Sequence, residues 1–475
     1  MSSHSHALVR NMTSIFIKNA LIVTPKQDQI KIYEPGYIEI DGDKISGIGS
    51  GSASMSADLV IDAAGGIVLP GLIDSHIHTP ESLLRGLAQD VPEKDWMHKT
   101  LGPIIRNMTE SDWIIGAKLC VLEALKSGTT TFCDYAYNMD KILEEVHKPS
   151  GVRANVCTTI NEFGEGKRNS EELYEFDSSA GEKKFKDGVK LVKDWHGKLD
   201  GRITCLYGPQ AADMMSSELL LKVKEKAIED GVSIHMHVAQ GNRERKQMEG
   251  RYGKSTIEYL KSIDFIDSNL IAVHCHDASD EELQVLARSG GRMVGCPGSI
   301  GLIDGVVPPL HSFIQAGGVA SLGSDQGPPD GSNMFTQMRY AAILNKVRHR
   351  DPTVLKAEEI FKMVTIDAAR CHGLDKTIGS IEVGKKADLI ILRPEVPNLT
   401  PILSGTVKNI IPNLVYNATG NEVSDIIING QVIMQDRVVK TMNEKQIVAE
   451  AQKTAEQLMA NSYMDLKEVN SPFLD

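Results

Sequence analysis

Eight short apolar runs, most of them separated by helical patterns, constrain this chain more than any other feature. They read GLIDSHIH (71–78), TTTFCDY (129–135), VRANVCTT (152–159), ITCLYG (203–208), VSIHMHVA (232–239), NLIAVHCH (269–276), RMVGCPGS (292–299) and VASLGSD (319–325). Between them, segments such as 112–128, 216–231 and 279–291 repeat apolar residues at spacings of three and four, as amphipathic helices require. Ser279 and Glu282 have capping-box spacing. Gly128, Gly231 and Gly290 stand where a helix C-terminal cap belongs. Strands that alternate with helices pair in parallel, and eight of them predict an α/β chain with a (β/α)8 TIM barrel.

The flanks have a different character. Residues 14–24 (SIFIKNALIVT), 36–48 (GYIEIDGDKISGI) and 58–69 (DLVIDAAGGIVL) are rich in Ile and Val and carry turn residues such as Asp41-Gly42 and Gly65-Gly66. The same style returns in 378–392 and 423–439, with period-two patterns and Gly turns. The expected organisation is a composite β-sandwich from 1–70 and 375–440, a barrel from 71–374, and a helical extension over 441–475, with an amphipathic helix at 443–463. A length of 475 residues accommodates a barrel of about 250 plus a smaller unit.

No stretch of about 18 apolar residues is present, so no membrane-spanning helix is expected. The N-terminus lacks the apolar core and cleavage site of a signal peptide, which predicts a cytoplasmic protein. His4 and His6 alternate with Ser and read as a leader and not as ligands. The net charge of −12 and the lack of a basic run argue against a nucleic-acid groove. Seven cysteines, at 120, 133, 157, 205, 275, 296 and 371, have no CxxC spacing and read as reduced, mostly buried thiols.

Chemistry concentrates at strand ends. His76 and His78, two apart at the end of the first barrel strand, place both rings on one face. The C-terminal strand end is where barrel active sites form, and paired imidazoles suit zinc or iron. His235 and His237 repeat the device on the fifth strand. His237 is nearer the end and is the candidate ligand, whereas His235 reads as a hydrogen-bonded core histidine one layer deeper. His274 and His276 end the sixth strand, and Asp325 ends the eighth. Taken alone, an acid beside Gly after an apolar strand reads as a helix cap. The set argues otherwise, because histidines and one Asp fall at the same end of strands one, five, six and eight.

This pattern resembles the amidohydrolase superfamily, and within it the branch of adenosine-type, guanine and S-adenosylhomocysteine deaminases and s-triazine hydrolases. The resemblance covers nearly the whole chain. It rests on VLPGLIDSHIHTPESLLRG (68–86), LEALKSGTTTFCD (122–134), IHMHVAQ (234–240), VHCH (273–276), LGSDQG (322–327) and MVTIDAARCHGLDKTIGSIEVGKKADLIIL (363–392). It implies that His76, His78, His237 and Asp325 hold one divalent metal ion, Zn2+ or Fe2+, and that His274 contacts substrate or the attacking water. Binuclear members use a lysine on the fourth strand, and ITCLYGPQ (203–210) has none. Deaminases of this branch carry a Glu three residues after the fifth-strand His, and here that position is Gln240. An amide cannot shuttle a proton, although it can orient substrate.

The implied reaction is metal-dependent hydrolytic deamination or iminohydrolysis of a small nitrogen heterocycle, such as a cyclic amidine or guanidine, an aminopyrimidine, a purine or an aminotriazine. Asp325 would accept a proton from water, and His274 would stabilise developing charge. Gln240, Gln326, Gln210, Trp96 and Glu81 are the expected substrate contacts, with His98 and Tyr135 as further pocket candidates. Trp96 reads equally as a core anchor. Glu81 or Glu244 could replace the missing Glu, yet each reads more readily as a solvated surface acid. Two other readings stay open: release of chloride or alkylamine from a triazine-like ring, and a non-catalytic member of the superfamily. Relatives usually assemble, so a homo-oligomer is expected, with 441–475 as a plausible contact.

Overall fold

The structure, a computed structural model, describes residues 14–27, 29–51, 55–87, 90–92, 95–164, 172–326, 332–469 and 471–472. The leader histidines, His4 and His6, lie outside the described residues. The N-terminal part of the flanking sheet comprises strands β1 (Ser14–Lys26), β2 (Gln29–Asp41), β3 (Lys44–Ser50), β4 (Leu59–Asp62) and β5 (Ile67–Pro70). The chain returns to the same sheet through β15 (Leu389–Leu392), β16 (Val423–Ile428), β17 (Gln431–Gln435) and β18 (Val438–Val439). These nine strands form one hydrogen-bonded sheet, joined where β5 pairs antiparallel with β15. Alternation of Ile15, Ile17, Ile38 and Ile40 buries one face of it.

Between these halves run the parallel strands β6 (Leu72–Ile77), β7 (Thr129–Ala136), β8 (Arg153–Ile160), β9 (Ile203–Cys205), β10 (Gly208–Pro209), β11 (Ile234–Val238), β12 (Leu270–His274), β13 (Arg292–Gly295) and β14 (Val319–Leu322). Strands β6 to β10 make one sheet and β11 to β14 another. Isolated parallel bridges join the two sheets at both seams, Ile77 with Asp325 on one side, and Tyr207 with Ile234 and Ala211 with His237 on the other. This is the TIM-barrel type of arrangement. Its strands are almost wholly buried, as parallel strands covered by helices must be.

Helices form where their caps predict. Ser279 caps Asp280–Arg288 with a full capping box to Glu282, and Gly231 ends Ser217–Asp230 in the left-handed region. Two expectations require correction. The run 292–299 is a strand only to Gly295, because Pro297 opens the short helix Pro297–Ile303. Within 378–392 only Leu389–Leu392 is a strand, since Gly379 and Gly384 adopt positive φ and break the alternation. The helix expected at 443–463 extends over Glu444–Glu468 and packs on the helix Glu110–Lys126 of the same chain. All seven cysteines are free and buried. Among the described residues no helix is long and apolar enough to cross a membrane.

One buried ion pair ties the two parts together. Arg153, at the start of β8, donates from Nε to Asp388 Oδ2 at 2.6 Å and from Nη2 to Asp388 Oδ1 at 3.0 Å. Its Nη2 also donates to Asn429 Oδ1. This bidentate geometry satisfies a charge that would otherwise be costly to bury.

Candidate metal centre and active site

The ends of β6, β11, β12 and β14 converge. Asp325 is inserted between the two first-strand histidines by backbone bonds: its N–H donates to His76 O at 2.8 Å, and its carbonyl accepts from the His78 N–H at 2.9 Å. Its Oδ1 then lies 3.5 Å from His76 Nε2 and 3.4 Å from His78 Nε2. Potential ligand atoms of His76, His78 and His237 lie within 4.8 Å of one another, as do those of His76, His274 and Asp325. Gly323 makes the approach possible, because a Cβ there would meet His76 O at 2.7 Å.

Each of three rings is oriented through its other nitrogen. His78 Nδ1 is 2.6 Å from Tyr135 O, His237 Nδ1 is 2.8 Å from Gln210 O, and His76 Nδ1 is 3.1 Å from His235 Nε2. The carbonyls can only accept, so His78 and His237 carry a proton on Nδ1, and in the neutral ring a bare Nε2 faces the centre. His76 Nε2 and Asp325 Oδ1 are buried without a hydrogen-bond partner. Buried polar atoms are otherwise almost always paired. Orphaned imidazole and carboxylate atoms that face one another fit a divalent cation.

Electrostatics agree with neutral imidazoles. Burial lowers the pKa of His76, and it holds His235, His237 and His274 well below the usual histidine value, with neighbouring histidines adding to the effect. Burial alone would raise the pKa of Asp325, but the His76 and His78 rings that face its carboxylate outweigh this and hold it well below the usual range. His78 is the exception among the histidines of the cluster. Burial works against its charge, but Asp325 and Glu81 raise it to about 9 in the metal-free site.

Strain is stored at the same strand ends. Ala239, His274, Cys275 and Asp325 have φ between 50° and 76°, a region that side-chain-bearing residues avoid. Such conformations cost on the order of 1–3 kcal/mol each and cluster at functional sites. Both ring nitrogens of His274 are buried without a partner.

Above the cluster opens a cavity of about 340 Å³. His78, His237, Glu81, Gln210, Gln240 and Gln326 line its polar end, and Tyr135 joins them. Trp96, His98, Leu101, Ile105, Trp113 and Met214 are among the other lining residues, as is Val469. The cavity thus contains Gln210, Gln240, Gln326, Trp96 and Glu81, all expected to face substrate. Asn161 donates to Gln210 Oε1 at 2.5 Å, which leaves the Gln210 amide N–H groups to donate elsewhere.

Two acids expected at the surface are not there. Glu81 lines the cavity with Oε2 shielded from solvent and unpaired, and burial raises its pKa to about 7. Glu244 is fully buried and accepts from the backbone N–H of Ala239 and Gln240 and from Thr256 Oγ1. It therefore positions the Gln240 turn and is not among the residues lining the cavity. The reading of Glu244 as a solvated acid, and the alternative reading of Glu81 as one, fail because an isolated Glu beside a turn has no sequence feature that distinguishes burial. Sequence reasoning also missed Ser299, whose hydroxyl donates to Asp325 Oδ2 at 2.6 Å, and Val469, far from every motif.

The chain matches the amidohydrolase family over residues 67–433 and belongs to it. It is 35% identical over 451 residues to a 5'-deoxyadenosine deaminase of Methanosarcina mazei, covering 94% of this chain and 99% of that protein. It is likewise 35% identical over 448 residues to a 5-methylthioadenosine/S-adenosylhomocysteine deaminase of Thermoanaerobacter pseudethanolicus, with 94% and 99% covered. Among solved structures, an adenosine deaminase from Xanthomonas campestris with bound zinc superposes with a TM-score of 0.84 at 24% identity, covering 94% and 98% of the two chains. A zinc complex of atrazine chlorohydrolase from Arthrobacter aurescens TC1 gives 0.82 at 22%, covering 93% and 100%. These two likenesses establish the fold.

Proposed function

We propose that this protein is a metal-dependent hydrolytic deaminase that releases ammonia from an adenine-type nitrogen heterocycle. The observation that carries this reading is near-full-length similarity at 35% identity to deaminases of 5'-deoxyadenosine and of 5-methylthioadenosine/S-adenosylhomocysteine. The His/Asp cluster and its orphaned atoms support it. His76, His78, His237 and Asp325 would hold one Zn2+ or Fe2+ within a closed barrel flanked by the small β-sandwich. Such an ion supplies Lewis acidity that brings the pKa of water toward 7.

The chain's own residues do the rest. Asp325 accepts a proton as water oxygen bonds to the ring carbon, and Ser299, which can donate or accept, follows that proton by rotating its hydroxyl. His274, neutral and strained into place, hydrogen-bonds the oxygen at the attacked carbon. Gln240 cannot carry a proton, so protonated Glu81 gives its proton to the ring nitrogen, Asp325 passes the proton it took from water to the departing amine, and the remaining hydroxyl proton returns to Glu81 as the ring carbonyl forms. The carbon–nitrogen bond breaks, ammonia leaves and a ring carbonyl remains. Gln210, Gln240 and Gln326 orient the heterocycle, and Trp96 packs against it.

The test is ammonia release by metal-loaded protein from 5'-deoxyadenosine, 5-methylthioadenosine, S-adenosylhomocysteine and adenosine, beside creatinine, guanine, melamine and atrazine. Metal-dependent ammonia from an adenosine-type compound is expected. Chloride or alkylamine from the triazines instead would overturn deamination in favour of the triazine reading. Silence throughout at full metal occupancy would favour the non-catalytic one.

A further inference from the structure

Three histidines of the centre differ in what holds them. The acceptors for His78 and His237 are backbone carbonyls, of Tyr135 and Gln210. The partner of His76 is a side chain, His235 Nε2 at 3.1 Å. His235 lies two residues before His237 on β11 and is completely buried. Its other nitrogen, Nδ1, has no hydrogen-bond partner. A neutral imidazole donates from one nitrogen and accepts at the other, so the contact between the two rings admits only complementary tautomers. If His76 is to present a bare Nε2 to a metal, its Nδ1 must carry the proton, and His235 must accept that proton's hydrogen bond at Nε2.

We infer that His235 is a positioning residue that fixes the tautomer and ring plane of His76 and thereby sets the metal affinity of the site. This rests on the metal-binding reading above. In metal sites the acceptor behind a ligand histidine is usually a carboxylate, a carbonyl or water, and its loss weakens metal binding by roughly 10- to 100-fold. Here a neutral ring does that task without adding negative charge beneath the centre. Below it, His372 packs with its ring centroid 5.7 Å from that of His235, and Asn155 contacts His372 Nδ1 at 3.1 Å. His235 is therefore packed against a second ring and cannot swing away from His76 without displacing it.

The experiment measures the Zn2+ dissociation constant of full-length protein by competition with a chromophoric chelator, without any assay of turnover. His235→Leu removes the acceptor and should raise that constant by roughly 10- to 100-fold. His235→Gln returns an amide oxygen near the position of Nε2 and should recover affinity to within about threefold of wild type. A folded His235→Leu protein with wild-type affinity would overturn the proposal, and so would a glutamine variant as weak as the leucine one. If the leucine variant does not fold, 15N spectra of histidine-labelled, zinc-loaded wild type decide: a proton on His235 Nδ1 is expected, and one on Nε2 refutes it. Wild-type protein that binds no Zn2+ at all would instead refute the metal site itself.

Discussion

On the strand-end floor of the site His76, His237 and Asp325 sit on or beside buried strands, each held by a hydrogen bond to a neighbouring element. At the outer wall the segments Trp96–Leu101 and Gly102–Ile105, with Val469 beyond the C-terminal helix, present mainly apolar side chains, and Arg106 beside them is exposed. The floor fixes atoms to within a bond length because its chemistry depends on ligand geometry. The wall needs only to exclude water and match a shape, so helix ends suffice. Substitutions should therefore act in an all-or-none manner at the floor and in a graded manner at the wall.

The largest effect is expected for Asp325→Ala, which should lose bound metal and roughly 10³-fold or more of ammonia release, read by metal analysis and by kcat. Residual metal and activity close to wild type would erase the distinction. Glu81→Gln comes next, at roughly 10²-fold in kcat. Its pH profile carries the sign. Burial raises the Glu81 carboxyl to about 7 in the metal-free site, and a bound cation would draw it lower. The protonated form that delivers the proton is lost as pH rises, so wild-type kcat/KM should fall as pH rises through a value near or below 7, and the variant should lack that limb.

Glu81 also makes a stability prediction for metal-free protein. Its folded pKa lies above the ordinary 4.5, so the folded state holds a proton that the unfolded state has released between these values. Stability is then lost as pH rises through that window. Glu81→Gln should shrink the fall in Tm between pH 5 and pH 8. Smallest of all, Val469→Ala should raise KM a few-fold with kcat within about twofold, since it removes contact without touching the chemistry. A collapse of kcat in that variant would mean the wall does more than shape the cavity.

Strand ends explain why so much of the floor was readable. A histidine or acid that ends an apolar run can be placed at one end of a barrel before any coordinates exist, and His76, His78, His237, His274 and Asp325 all gather there. His235, read as a deeper hydrogen-bonded residue, bonds His76. Wall residues carry no such mark. Val469 reaches the cavity only because the helix Glu444–Glu468 packs along Glu110–Lys126. Ser299 was hidden because Pro297 turns the seventh run into a helix, which swings its hydroxyl onto Asp325. Burial of Glu81 and Glu244 depends on tertiary neighbours, which local pattern does not encode.

The pairing of β5 with β15 has a temporal side. Leu389 meets Pro70 across about 320 residues of intervening chain, which a ribosome needs roughly half a minute to add. Throughout that interval the edge of β5 away from β1 has no partner strand, and Arg153, once made, lacks the carboxylate of Asp388. An open strand edge of this kind invites pairing with other chains. The newborn N-terminal strands thus stay open to such pairing until residues 388–392 have emerged.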